Sequence, residues 1–186
     1  LHLLSRRQRQ MCIRDRYIIN LTAKEVPAVL EATKDGAASL FENSVSCIGV
    51  PICQHGLSNS YALLESCIQR VRKEQFADRV LPCIHISGCP SSCGSHQAGS
   101  IGLVGHSKRV DGKMEPAFKL FVNGDSEEPG AHLGIEKGVL LETVIPEFFA
   151  ALGKRIAAAD STFDVWYPTH AEEFDTLAAE YAEKTQ

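Results

Sequence analysis

Residues 85–105 read HISGCPSSCGSHQAGSIGLVG, and a second cysteine segment, CIGVPIC, occupies residues 47–53. Cys89-x3-Cys93 is framed by Gly88, Pro90 and Gly94, and Cys47-x5-Cys53 encloses Gly49 and Pro51. Glycine and proline interrupt regular structure, so both segments read as turns that present thiols. The β-branched run Val80–Ser87 predicts a strand leading into the second turn, and Ile101–Gly105 predicts another leaving it. Between the two cysteine segments, Leu63, Leu64, Cys67, Ile68 and Val71 repeat at helical spacing. They predict a helix from Ser58 to about Phe76, with Arg70, Arg72, Lys73 and Glu74 on its solvated face.

Working outward, Thr22 and Glu25 fit a capping box for a helix running to about Thr33, with Val26, Val29 and Leu30 as its apolar stripe. Asp35–Gly36 is a stop signal, and Ser44–Ile48 reads as a short extended piece. Ala117–Val122 pairs in antiparallel fashion with Ile101–Gly105 around the turn at Asp111–Gly112. Asn123–Gly138 reads as loop. Pro146 suits the first turn of a helix reaching about Ala159. Thr169 and Glu172 predict a cap for a last helix ending near Glu183. The fold class is α+β, an antiparallel or mixed sheet with flanking helices.

Composition narrows the function classes. The chain has 186 residues, 44% hydrophobic and 23% charged, with 14 Gly and 8 Pro. This is globular composition and excludes disordered, collagen-like and coiled-coil chains. A net charge of −4 argues against a nucleic-acid partner. No apolar run approaches the roughly 18–20 residues of a membrane span. Seven cysteines without a secretory signal argue against a disulfide scaffold and for a reducing, cytoplasmic setting.

Residues 1–16, LHLLSRRQRQMCIRDR, carry five Arg and no Lys, with no apolar region of the kind a signal peptide needs. QRQMCIRDR looks like translated sequencing-adapter sequence, so this segment is expected to be non-native and the start a truncation. Without its five Arg and one Asp the net charge moves from −4 to −8. Cys12 then drops out.

Four of the remaining cysteines lie in the two turns. Structural zinc favours C-x2–4-C knuckles, for which a five-residue spacer is too loose. Iron–sulfur cubanes take four thiolates over a larger object and suit wide, unequal spacing. The glycines of GCPSSCG also allow backbone N–H groups to face thiolate or sulfide. A cubane is therefore the favoured reading, with structural zinc and plain buried thiols as alternatives. Cys83 forms a decoy C-x5-C with Cys89 but lies in the expected strand, and Cys67 lies on an apolar helical stripe. Both read as core thiols.

CIGVPIC followed about forty residues later by HISGCPSSCGSHQAGSIGLVG resembles the nitrite and sulfite reductase haemoprotein family, whose signature is C-x5-C, a variable helix, then C-x3-C. The likeness runs from about Asn20 to Tyr181 and corresponds to the family's C-terminal half. It implies a remnant of a preceding ferredoxin-like half-domain over residues 17–45. Residues 46–186 would then be the 4Fe–4S and sirohaem-binding domain. It further implies that Cys47, Cys53, Cys89 and Cys93 hold a 4Fe–4S cluster, with Cys93 also the axial ligand of a sirohaem iron. Ser91, Ser92, Gly94, His96 and Gln97 would lie around that cofactor. Many family members have Asn where this chain has Ser91, whose hydroxyl reaches less far.

The implied reaction is six-electron reduction of nitrite to ammonia or of sulfite to sulfide, fed by ferredoxin or a flavoprotein. The family draws the Arg and Lys that clamp the anion from its N-terminal half, so this chain alone is expected to be inactive. Alternatives are a non-catalytic iron–sulfur electron-transfer module and a structural zinc domain.

Other residues carry structural readings. His85 reads as a structural strand histidine. Gln54 and His55 begin the turn after Cys53, and Lys108, Arg109 and Lys113 read as exposed charge near a hairpin. Phe148, Phe149 and Leu152 are expected in the core, and Trp166 and Tyr167 are expected to pack the C-terminal segment onto it.

Overall fold

A computed structural model describes residues 21–32, 36–50, 52–127 and 129–183. Residues 1–16, with their expected non-native origin, lie outside these. The chain divides into two compact units, Leu1–Gly36 and Ala37–Gln186. The first contains helix α1 (Val26–Ala32). The expected capping box is present: Glu25 Oε2 accepts from the Thr22 amide at 2.8 Å and from its hydroxyl at 2.7 Å. No α1 residue is buried; Val26 and Leu30 are exposed and Val29 is half-buried.

The second unit is a five-stranded mixed sheet in the order β1-β2-β3-β4-β5. Its strands are β1 (Val45–Ser46), β2 (Ile84–Ser87), β3 (Ile101–Val110), β4 (Lys113–Val122) and β5 (Ile135–Leu141). β1, β2 and β3 run parallel, and β3-β4-β5 form an antiparallel meander. Helix α2 (Ser60–Arg72) makes the crossover from β1 to β2. Helices α3 (Ile145–Ala158), α4 (Phe163–Trp166) and α5 (Ala171–Glu183) follow the sheet.

Strand alternation sorts the two faces of this sheet. Ile84, Ile86, Ile101, Leu103, Phe118, Leu120 and Val122 belong to the same buried cluster as Leu63, Cys67, Phe148, Leu152 and Phe174 from the helices. The intervening positions, among them His85, Ser87, Gly102 and Phe121, point the other way. That second face is covered by the loop 88–100, because the His96 ring lies 5.1 Å from that of Phe121. The loop joins two parallel strands without a helix and must run back along the sheet from the end of β2 to the start of β3. Gly102 makes this close passage feasible, since a Cβ there would lie 1.6 Å from the His96 carbonyl oxygen.

Aromatic packing closes the helical side. Phe148 is fully buried, with its ring centroid 5.4 Å from Phe149, 5.9 Å from Phe174 and 5.8 Å from Tyr181. Leu152 is fully buried, and Trp166 and Tyr167 are buried, as expected.

Several expected boundaries change. Val80–Ser87 contributes only Ile84–Ser87 as strand, because Pro82 has no N–H for a ladder. Cys83 thus lies outside the strand. It is half-buried, with its thiol donating to the Asn43 carbonyl at 3.3 Å, rather than in the core. α2 starts at Ser60 because Asn59 caps it, its side chain accepting from the Ala62 amide at 3.1 Å. Residues 135–138 of the expected loop belong to β5, where Gly138 at φ 142° and a register shift between Leu120 and Phe121 hide the alternation. Thr169 does not cap α5; its hydroxyl donates to the Trp166 carbonyl at 3.1 Å.

The basic side of α2 is also more than a solvated face. Arg70 pairs with Glu74 and Glu147 at 2.7 and 2.6 Å, and Arg72 forks onto Glu42 at 2.8 and 2.9 Å. That fork is the main reason the Glu42 carboxyl is lowered to about 2. Lys108 likewise lies in β3 and donates to the Ala182 carbonyl at 2.9 Å.

Phe148→Ala should remove about 3–5 kcal/mol from the stability of this unit, by loss of transfer energy and creation of a cavity. Urea unfolding would measure it, and a loss under about 1 kcal/mol would contradict this packing account.

Candidate metal and cofactor centre

Both cysteine segments leave the same edge of the structure, the C-terminal ends of adjacent parallel strands. Pairing of Val45 with His85 and Ser46 with Ile86, extended by the Cys47 amide bonding the Ile86 carbonyl at 3.0 Å, places Cys47 beside the end of β2. There the Gly88 N–H donates to Cys47 Sγ at 3.0 Å. The Gly88 carbonyl accepts from Leu57 and Ser58 at 3.0 and 3.1 Å. Gly88 is therefore bonded through both its polar groups to the first cysteine loop, one residue before Cys89. A Cβ at Gly88 would lie 2.8 Å from the Ser58 carbonyl oxygen and 3.4 Å from Cys47 Sγ.

The first loop is closed by its own backbone. The Cys53 amide donates to Gly49 at 2.8 Å, and the Cys53 carbonyl accepts from Gly56 at 3.2 Å. The Cys47 sulfur also lies 3.1 Å from Ser60 Oγ, while Ser60 donates its hydroxyl to the Cys47 carbonyl at 2.9 Å. Ser58 Oγ, in the same wall, is buried with no hydrogen-bond partner.

β2 holds the second loop through its outward face. Gly94 donates its N–H to Ser87 Oγ at 3.1 Å, and its carbonyl lies 3.1 Å from His85 Nδ1. The peptide after Cys93 is thus pinned by two alternate residues of one strand. His96 Nδ1 lies 3.1 Å from Ser87 Oγ and 3.2 Å from Ser92 Oγ. Ser92 and Ser95 both take positive φ, 58° and 53°. The outer end of the loop is tied to the β4–β5 connection by Gly134 donating to the Gln97 carbonyl at 2.7 Å.

Burial grades the four thiols. Cys89 is buried, Cys47 and Cys53 are half-buried, and Cys93 is exposed. Cys67 is fully buried, and desolvation pushes its thiol far above the usual range, as suits a core residue. Among the described residues, no group of three or more His, Cys, Asp or Glu gathers as a single metal ion would require. A cubane asks for something else, since each thiolate binds its own iron. Four thiols on two interlocked loops, one already accepting a backbone N–H, fit that donor set.

Known reductases resemble this chain. A ferredoxin–nitrite reductase of Leptolyngbya laminosa is 30% identical over 135 residues, 68% of this chain and 26% of the relative. That of Synechococcus elongatus is 35% identical over 97 residues, 52% of this chain and 19% of the relative. The NADPH sulfite reductase hemoprotein beta-component of Neisseria meningitidis is 25% identical over 132 residues, 69% of this chain and 21% of the relative. This chain is a relative of the nitrite and sulfite reductases. It spans about a quarter or less of the length of those proteins. The structure of Mycobacterium tuberculosis NirA protein shares the fold, with a TM-score of 0.57 at 15% identity over 71% of this chain and 26% of that one. No protein-family model matches the chain.

In this reductase relative, Cys47, Gly88 and Cys89 lie together at the strand ends, and Ser92, Gly94 and His96 are held against β2. Ser91 is exposed beside Cys89 and Pro90, and Gln97 is half-buried where the loop meets the β4–β5 connection. Gln54 and His55 are exposed after Cys53. Ser60 and Ser87 were not legible as site residues. The even spacing of His85 and Ser87 was the available signal for the second, whereas nothing local marks Ser60.

Ser87→Ala would leave the Gly94 N–H without this acceptor and should cost about 1–3 kcal/mol in urea unfolding. His96 yields a pH prediction. Burial holds its imidazole below the ordinary value of 6.5, so the folded state binds fewer protons than the unfolded chain. The stability it contributes is whole above about pH 6.5 and is lost as pH falls below it. The Tm of the wild type should therefore fall more steeply than that of His96→Asn between about pH 7.5 and 5.5. Equal slopes would contradict this.

Proposed function

We propose that residues 46–186 are the cluster- and sirohaem-binding domain of a reductase that takes nitrite to ammonia or sulfite to sulfide. In this reading Cys47, Cys53, Cys89 and Cys93 hold a 4Fe–4S cluster, and Cys93 is shared with the sirohaem iron. The observation that carries it is the bond from Gly88 N–H to Cys47 Sγ at 3.0 Å, which joins the C-x5-C and C-x3-C segments.

Bound together, the two cofactors would supply single electrons in sequence to a substrate that needs six. The residues of this chain hold and orient. Gly88 donates to a ligand sulfur, and such donors stabilise the negative charge of a thiolate-bound cluster. Gly94, fixed by Ser87 and His85, limits the freedom of Cys93, and the exposure of Cys93 suits a thiolate that must face a second cofactor. His96, whose neutral form burial favours, lies within hydrogen-bond distance of Ser92 Oγ. Ser91, Ser92 and Gln97 border the same loop and are the candidates for polar contact with sirohaem.

The chain carries a net charge of −4, so cationic groups from elsewhere in the enzyme would clamp the anion. The electron donor in this reading is ferredoxin or a flavoprotein. A cytoplasmic site of action is part of this reading; among the described residues, no helix is long and apolar enough to cross a membrane.

Anaerobic reconstitution with iron and sulfide should give about four irons per chain, and Cys67→Ser should keep them. With sirohaem added, Cys93→Ser should abolish magnetic coupling between cluster and haem iron. Tight binding of a single zinc with no cubane signal would overturn the proposal.

A further inference from the structure

We infer that Ser60 is a positioning residue for the Cys47 ligand, and that its hydroxyl raises the reduction potential of the cluster by donating to the Cys47 sulfur. This rests on the cluster reading above.

Among the described residues, Cys47 is the one of the four site cysteines whose sulfur takes part in hydrogen bonds. Gly88 N–H reaches it at 3.0 Å and Ser60 Oγ at 3.1 Å. Ser60 is the first residue of α2 and is fully buried. Its position is fixed from two sides. Its hydroxyl donates to the Cys47 carbonyl at 2.9 Å, and Gly49, at φ 55°, leaves the space it needs, since a Cβ there would lie 2.7 Å from Ser60 Oγ.

Hydrogen counting gives this contact its direction. A serine hydroxyl has one hydrogen and two lone pairs. With Cys47 as a free thiol, Ser60 spends its hydrogen on the Cys47 carbonyl and can accept from the thiol. A cysteine that ligates iron has no hydrogen to give. The Ser60 hydrogen then turns from the Cys47 carbonyl at 2.9 Å to the sulfur at 3.1 Å, and the hydroxyl becomes the side-chain donor to the ligand. Donors to ligand sulfur favour the more electron-rich state of an iron–sulfur centre and so raise its potential. Ser60 is fully buried, so water does not compete for its hydroxyl.

The experiment reconstitutes the full chain anaerobically and measures iron content, Tm and the cluster's midpoint potential by EPR-monitored redox titration. It compares wild type with Ser60→Ala, Ser60→Thr and Ser58→Ala. Ser60→Ala should keep four irons while its midpoint moves to more negative potential, and Ser60→Thr, which retains the hydroxyl, should return toward wild type. Ser58→Ala removes a hydroxyl that touches no sulfur and should leave the midpoint unmoved. If Ser60→Ala fails to assemble a cluster, assembly by Ser60→Thr at the wild-type potential supports the proposal. An unchanged midpoint in Ser60→Ala overturns it. So does an equal shift in Ser58→Ala or Ser60→Thr, or loss of the cluster in both Ser60 variants. Failure of the wild type to take up iron and sulfide would instead remove the cluster reading beneath it.

Discussion

The Gly88 peptide joins the two cysteine loops: its N–H donates to Cys47 Sγ and its carbonyl accepts from Leu57 and Ser58. A side chain at this position would collide with the Ser58 carbonyl, so the junction can form only at a glycine. Its geometry is inherited from the sheet. Parallel pairing of β1 with β2 brings the ends of two short strands side by side, and a cysteine leaves each end within two residues. The chain thereby brings Cys47, about forty residues earlier in sequence, within hydrogen-bond reach of the residue that precedes Cys89.

The rest of the unit supports that junction from both faces of the sheet. Ile84 and Ile86 anchor β2 in the apolar layer shared with α2 and α3. The alternate residues His85 and Ser87 use their polar atoms to hold the loop that carries Cys89 and Cys93. Burying the first pair costs nothing in hydrogen bonding. The second pair is polar because the face it covers is backbone, whose N–H and C=O groups need partners. One four-residue strand thus serves the core with one side and the loop that carries Cys89 and Cys93 with the other.

Much of this was legible in the sequence. Helical periodicity placed α2, Pro146 marked the start of α3, and Asp111–Gly112 placed the hairpin turn. Glycines around Cys89 pointed to backbone donors facing sulfur, and Gly88 is such a donor. What escaped was set by tertiary contacts. Gly138 broke the alternation that would have marked β5. Pro82 delayed the strand to Ile84 and left Cys83 outside it, its thiol on the Asn43 carbonyl instead of in the core. Ser60 carries no local signature, because its meaning comes from a sulfur thirteen residues away that only the β1–α2 geometry brings near.

The central claim is that two loops at the ends of β1 and β2 hold one polynuclear iron centre. An iron-edge anomalous difference map from crystals of the anaerobically reconstituted chain tests it most directly. The account predicts one compact peak beside the Cys47–Gly88 junction, with connected density to the sulfurs of Cys47, Cys53, Cys89 and Cys93. A peak bound elsewhere, or a lone ion held by Cys83 and Cys89, would contradict it.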